Sequence, residues 1–332
     1  MRRLAVVLFT RDLRAHDHYA LAAARADCDR VVPLFVRDER LLGVSPRRTE
    51  LLSLLLANLQ SSIGLEVAHG DAVEEIARLE PDAVYLSEDV SAYAQRRENA
   101  LRERFEVRAF PGITIVPPGE IAPAGKTHYS VFTPYWRAWR AQPLPAAVNS
   151  GPRLPLPAAP LSAHLHLGSV SPTETARRAD EELLRKLCWR DFFAQLLAAR
   201  PELESHDQHP GRRTWRNDEE ALTAWKEGRT GAAFVDAAMR QLHSEGWIPN
   251  RQRMVAASYL TKELGLDWRL GAAHFRTELI DGDAASNSGN WQWAAGTGAD
   301  TRPNRRFNPD RQARIHDPDG SYIRRWLPGA AE

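Results

Sequence analysis

Residues 281 to 293 read Asp281-Gly282-Asp283-Ala284-Ala285-Ser286-Asn287-Ser288-Gly289-Asn290-Trp291-Gln292-Trp293, placing two carboxylates and two carboxamides ahead of two indoles. Gly, Asn and Asp favour turns and caps, so Asp281 to Asn290 reads as a polar turn that a plain packing helix has no use for. A second polar cluster, Asn250-Arg251-Gln252-Arg253-Met254, offers the cation a buried aspartate requires, and Arg253 is the expected partner. Carboxylates, amides and aromatic rings together could clamp a planar heterocyclic ligand. The plainer account is a solvated Asp-Gly turn beside an Asx-capped helix, and these residues alone leave both accounts open.

Other chemistries find no support. His164 and His166 stand two apart and read as part of a helix entry, and no His, Cys or carboxylate cluster has metal-ligand spacing. No Ser occupies a nucleophile elbow with a His/Asp pair behind it. Cys28 and Cys188 fit neither a disulfide framework nor a zinc site, which points to a reducing, cytoplasmic setting. Eight of the ten tryptophans fall in the second half of the chain, and Trp225 and Trp326 read as helix-packing aromatics.

The elements that must position these residues follow from periodicity. Short β-branched runs at Leu4–Phe9, Val31–Val36, Leu65–His69, Ala83–Ser87 and Phe105–Phe110 alternate with helical patterns at Asp17–Ala26, Thr49–Ser62, Asp71–Leu79 and Ala92–Arg104. This order predicts an α/β fold, a doubly wound parallel sheet over residues 1–116. Residues 117–160 are rich in Pro and Ala and read as an interdomain connection with one aromatic helix near Tyr129–Arg140. After the capping box Ser171-Pro172-Thr173-Glu174 the β-branched runs stop, so residues 161–332 are expected to form an all-α domain.

The 332 residues carry 44 Lys+Arg against 43 Asp+Glu, which excludes a uniformly basic DNA-coating protein but not a local basic face. Between Arg302 and Arg325 seven arginines meet three aspartates, a local excess of four. The apolar run after Arg2-Arg3 is too short for a signal peptide, and no stretch approaches the roughly 20 apolar residues of a membrane helix. A soluble protein without a membrane partner is expected. The loop Thr10 to Arg14 holds neither G-x-G-x-x-G nor a P-loop.

Several long motifs stand in order along the chain: Arg11-Asp12-Leu13-Arg14, Ser130-Val131-Phe132-Thr133-Pro134, Gly228-Arg229-Thr230-Gly231, Asp236 to Leu242, Gly246-Trp247, Asn250 to Met254, Asp281 to Gly298, and Arg324-Arg325-Trp326. On these motifs the chain resembles the DNA photolyase/cryptochrome family. The resemblance implies light-driven repair of cyclobutane pyrimidine dimers in double-stranded DNA by electron transfer from reduced FAD. It also implies an N-terminal domain able to hold a deazaflavin or folate antenna near Arg11, Asp89 and Tyr93, and a single-chain, monomeric enzyme.

Residue by residue, the resemblance sets Asn287 at flavin N5, Asp281, Gly282 and Asp283 along the ring edge and sugar-like chain, and Arg253 against an Asp. Asn250 and Arg190 complete that pocket. Trp291, Trp268 and Trp215 match the family's electron-hopping tryptophans, Trp291 nearest the flavin and Trp215 nearest water. Trp189 and Trp293 match the walls of the lesion cavity, Met254 its floor, Arg251 a phosphate contact and Gln312 a DNA-side Gln.

Two departures stand out. Relatives cradle the FAD pyrophosphate with a Thr-Ser-x-Leu-Ser run, of which only Leu161 and Ser162 remain here behind Ala158 and Ala159, and the helix before it is absent. This implies a looser hold on FAD. Lys186 stands where repair enzymes carry a Glu that hydrogen-bonds the dimer, and a cation cannot accept that bond. Three readings follow: a compact photolyase, favoured because Trp189, Met254 and Trp293 persist; a flavin photosensor without repair; and a remnant that binds DNA or a partner without FAD.

Overall fold

The computed structural model describes residues 3–38, 45–210, 214–299, 302 and 305–328. Its contacts divide the chain into two units, Met1–Pro201 and Glu202–Glu332. Among the described residues of the first, β1 (Leu4–Phe9), β2 (Arg30–Arg37), β3 (Glu66–His69), β4 (Ala83–Ser87) and β5 (Val107–Phe110) form one parallel sheet in the order β3-β2-β1-β4-β5. The helices α1 (Tyr19–Asp27), α2 (Pro46–Ile63), α3 (Ala72–Ala77) and α4 (Ala92–Arg102) alternate with them. The central strand β1 is buried from Ala5 to Phe9, as a strand covered on both faces must be, which is why its sequence is an unbroken apolar run.

Strand order reverses between β1 and β4, where a doubly wound sheet opens a crevice at its carboxyl edge. There Arg11 Nη1 lies 3.3 Å from Asp89 Oδ2, and the Tyr93 hydroxyl donates to Asp38. Below them Asp12 is fully buried, 2.9 Å from His18 Nε2. The His18 and Ser87 side chains and the Thr10 amide outweigh the burial that opposes its charge and hold its carboxyl far below the usual range.

By its contacts the stretch after the sheet groups with it: α5 (Phe132–Arg140), α6 (Leu161–Leu167), α7 (Pro172–Arg177) and α8 (Glu181–Ala199) all fall in the first unit. Polar ties account for this. Asp17 Oδ1 accepts from Val148 N at 3.0 Å, and Asp191 Oδ2 of α8 accepts from Ile115 N, Val116 N and Trp139 Nε1 at 2.9, 3.1 and 2.9 Å. Burial pushes the Asp191 carboxyl up to about 6 despite those donors. Gly168, which ends α6 at φ +72°, lets that turn touch the loop after β1; a Cβ there would meet Arg11 O at 1.9 Å. The capping box is half made: Ser171 Oγ accepts from Glu174 N at 3.2 Å, while the Glu174 carboxylate is taken by Arg153 and His16.

The second unit is helical: α9 (Glu219–Lys226), α10 (Ala233–Glu245), α11 (Asn250–Ser258), α12 (Trp268–Glu278), α13 (Ala284–Ala295), α14 (Pro309–His316) and α15 (Ser321–Trp326), with a π-helical turn at Tyr259–Glu263. Its core gathers Trp225, Phe234, Met239, Leu260, Trp268, Phe275 and Trp291. The Gly228–Gly231 motif serves this fold, because Asp236 accepts from Thr230 N, Thr230 Oγ1 and Gly231 N and so fixes the entry to α10. Among the described residues no helix is long and apolar enough to cross a membrane.

Candidate functional site

A half-open cleft of about 70 Å³ lies among α11, α12 and α13. From α11 come Asn250, Arg253, Met254 and Ala257, spaced i, i+3, i+4 and i+7, and therefore on one helical face. From the start of α13 come Asp283, Ser286, Asn287, Asn290 and Trp291 at the same spacing, with Phe275, Leu279, Asp281 and Gly282 between. The mixed polar and apolar lining suits one face of a planar ligand.

The expected long polar turn is corrected. Only Asp281 to Asp283 is a turn, and helix α13 begins at Ala284. Asp283 is its N-cap and accepts from Ser286 N at 2.7 Å. Local propensity is overridden because the short polar side chains find helix-compatible partners. Asn287 Nδ2 donates to Ala272 O of α12 at 2.9 Å, Ser288 Oγ to Ala284 O at 2.9 Å, and Asn290 Nδ2 to Ser286 O at 2.7 Å. At the other end Lys262 Nζ donates to Ala295 O at 2.7 Å, a cation at a helix C-terminus.

Arg253 and Asp281 form the anticipated pair, Nη2 to Oδ2 at 2.9 Å, and Arg253 Nε donates to Ile248 O at 2.9 Å. Asp281 is 8% exposed, and its Oδ1 is buried without a hydrogen-bond donor. An ionised carboxylate oxygen left this way is costly, so the cavity presents an acceptor waiting for a donor. Charge in the lining is one arginine against two aspartates. Behind the wall His274 packs edge-on to Trp225 at 5.6 Å, and burial pushes its imidazole down to about 4, so it brings no charge at pH 7.

Trp291 is 2% exposed, with its ring edge-on to Phe275 and Trp225 at 5.0 and 5.9 Å. Trp268 is buried, its Nε1 donating to Asp207 Oδ1 at 2.7 Å, and Trp215 is half-buried against the same core. Trp293 leaves its neighbour entirely: two residues on a helix point about 200° apart. It is half-buried, 6.1 Å from Phe307, with the Arg305 guanidinium 5.4 Å above its ring. Arg251 is exposed beside Phe307, and Gln312 on α14 has a buried Oε1 without a donor.

The remaining expected residues lie in the first unit. Trp189 stacks face to face on Phe132 with centroids 3.6 Å apart, and Phe192 and Phe193 close around it. Arg190 spends its fork on the carbonyls of Ile113 and Leu165. Lys186 is exposed and pairs with Glu182 at 2.6 Å, while Ser162 is exposed on the first turn of α6. Sequence reading missed Ala257, Phe275, Leu279 and Ser286 as lining residues. Ser286 carried a signal, the i+3 spacing from Asp283, that the turn assignment concealed. Phe275 and Leu279 carried none, since any core aromatic or aliphatic looks alike in sequence.

Residues 5–158 match the family model described as DNA photolyase, and residues 183–332 the one described as FAD binding domain of DNA photolyase. A deoxyribodipyrimidine photo-lyase of Streptomyces griseus is 40% identical over 411 aligned positions, covering 99% of this chain and 90% of that protein. Those positions exceed the 332 residues here by 79, so at least that many have no counterpart in this chain. The deoxyribodipyrimidine photo-lyase of Escherichia coli is 32% identical, covering 97% of this chain and 88% of that protein. Among solved structures, an archaeal photolyase from Sulfolobus tokodaii, described with two FAD molecules, superposes with a TM-score of 0.89 at 29% identity, over 98% of this chain and 90% of that one.

Proposed function

The chain belongs to the DNA photolyase family, and from that membership we propose that it splits cyclobutane pyrimidine dimers in double-stranded DNA by light-driven electron transfer from reduced FAD. The observation that carries the reading is the α11–α13 cavity, where one buried carboxylate oxygen of Asp281 lacks a donor beside the Arg253 pair. Flavin chemistry fits this donor set. Its imide N–H or a ribityl hydroxyl is the kind of donor Asp281 Oδ1 awaits, and Phe275, Leu279 and Trp291 give its ring an apolar seat.

When bound, the reduced flavin supplies the electron that opens the dimer. The chain's own residues prepare for this. Asn250, Asp281, Gly282, Asp283 and Asn287 orient the cofactor, and Ser162 and Arg190 are the cofactor contacts assigned to the first unit. Trp291, Trp268 and Trp215 offer easily oxidised indoles from buried to half-buried positions. Met254 and the indoles of Trp293 and Trp189 receive the flipped dimer, aromatic surface offsetting the lost stacking. Arg251 and Gln312 hold the DNA strand, and Lys186 meets a phosphate or the dimer. Residues 161–332 would carry flavin and DNA, and residues 1–116 a deazaflavin or folate antenna beside Arg11, Asp89 and Tyr93. The protein acts as a cytoplasmic monomer.

A second reading, a flavin photosensor without repair, is favoured by one observation: Phe132 covers a face of Trp189. An absorption spectrum of the purified protein and a dimer-containing oligonucleotide under blue light with reductant separate these readings. Light-dependent loss of dimers is the expected result. Bound flavin without dimer loss overturns repair in favour of the sensor, and absence of a flavin spectrum after reconstitution overturns both.

A further inference from the structure

We propose that the α11–α13 cavity selects for the ring and ribityl half of the cofactor, so that riboflavin and FMN occupy it about as tightly as FAD. The proposal rests on reading that cavity as the flavin site. Asp281 Oδ1 and the carboxamides of Asn250, Asn287 and Asn290 ask for hydroxyls, ring carbonyls and an imide N–H, all of which riboflavin possesses.

A pyrophosphate asks for something else: free amides, hydroxyls, a helix N-terminus or cations directed at it. The single cation of the lining already shares its charge with a carboxylate, Arg253 Nη2 donating to Asp281 and Nε to Ile248 O. The start of α13 carries its own capping carboxylate, Asp283, which accepts from Ser286 N. Two negative charges brought near Asp281 and Asp283 would be repelled.

The described residues between the two family matches supply little in compensation. At least 79 aligned positions of the Streptomyces griseus relative have no residue here, and residues 159–182 fall between the two family matches. In that stretch Ser162 stands on a seven-residue helix whose cap, Pro160, makes no side-chain hydrogen bond. Each charge-assisted hydrogen bond to a phosphate contributes about ten- to hundredfold in affinity. Without them the adenosine diphosphate half of FAD adds little beyond the ring.

The test is to strip the full chain of flavin and titrate it separately with riboflavin, FMN and FAD, following flavin fluorescence at low and high salt. The three dissociation constants are expected to agree within about tenfold, and the FAD to riboflavin ratio to be indifferent to salt. Asn287→Ala should weaken all three by a common factor. FAD binding more than about tenfold tighter than riboflavin, or a preference for FAD that fades as salt rises, overturns the selectivity and leaves the flavin site standing. Absence of binding by all three, or binding unmoved by Asn287→Ala, overturns the site and the selectivity together.

Discussion

Trp291 has two neighbourhoods, the polar cavity on one side and the rings of Phe275 and Trp225 on the other. An indole at 2% exposure is shielded from water, and its oxidation needs no solvent rearrangement around a distant group. Phenylalanine fills most of the same space but is far harder to oxidise. Trp291→Phe should therefore keep the fold and flavin content while slowing blue-light reduction of bound flavin by about tenfold or more, equivalent to about 1.4 kcal/mol on the barrier. Photoreduction as fast as in the parent would remove Trp291 from the electron route. Asp281 shows the complementary economy: one oxygen is satisfied by Arg253, and the other is buried without a donor.

At the scale of elements, the cavity exists because two helices present single faces to it and a third lies close enough to close its floor. That closeness depends on Gly271 of α12. A Cβ there would stand 2.1 Å from Trp291 Cη2 and 2.8 Å from Leu260 Cδ2, inside contact distance of a rigid ring held on its other side by Trp225. Gly271→Ala should consequently destabilise the helical unit by about 1–3 kcal/mol, the usual cost of overpacking, although alanine is the better helix former. Flavin affinity should fall with it, because the displaced ring lines the cavity. Chemical denaturation read by tryptophan fluorescence checks the first effect. An unchanged or raised midpoint would show that α12 can back away at no cost.

For the whole molecule, a formal charge of +1 means that attraction to DNA must come from where charge is placed. The seven arginines at 302, 305, 306, 311, 314, 324 and 325 are all exposed, although Arg306 leans on Glu263 at 3.3 Å and Arg325 on Glu245 at 3.4 Å. Arg251 is exposed beside Phe307 on the same unit. Binding to dimer-containing duplex should weaken steeply with salt, and Arg251→Ala should lower the slope of log affinity against log salt by about one while leaving flavin content intact. Affinity indifferent to salt would dissociate these arginines from DNA.

The amino-acid sequence determined the parallel sheet of the first unit, with β1 and β4 legible at Leu4–Phe9 and Ala83–Ser87 from the runs themselves. Such runs are legible because a strand buried on both faces must be continuously apolar, whatever it packs against. The Arg253–Asp281 pair was legible for a similar reason, because a buried charge must be met. Two things were decided by tertiary structure, and the separation of two indoles followed from the first. Turn-forming residues from Asn287 to Asn290 became helix because Ala272 O and carbonyls within α13 accept their side chains, and no local rule weighs a partner fifteen residues away. Trp291 and Trp293, adjacent in reading, parted because a helix turns its i and i+2 positions away from each other. The Pro- and Ala-rich segment, expected as a linker, joined the sheet unit because Asp17 and Asp191 hold its backbone amides, long-range bonds that composition cannot announce.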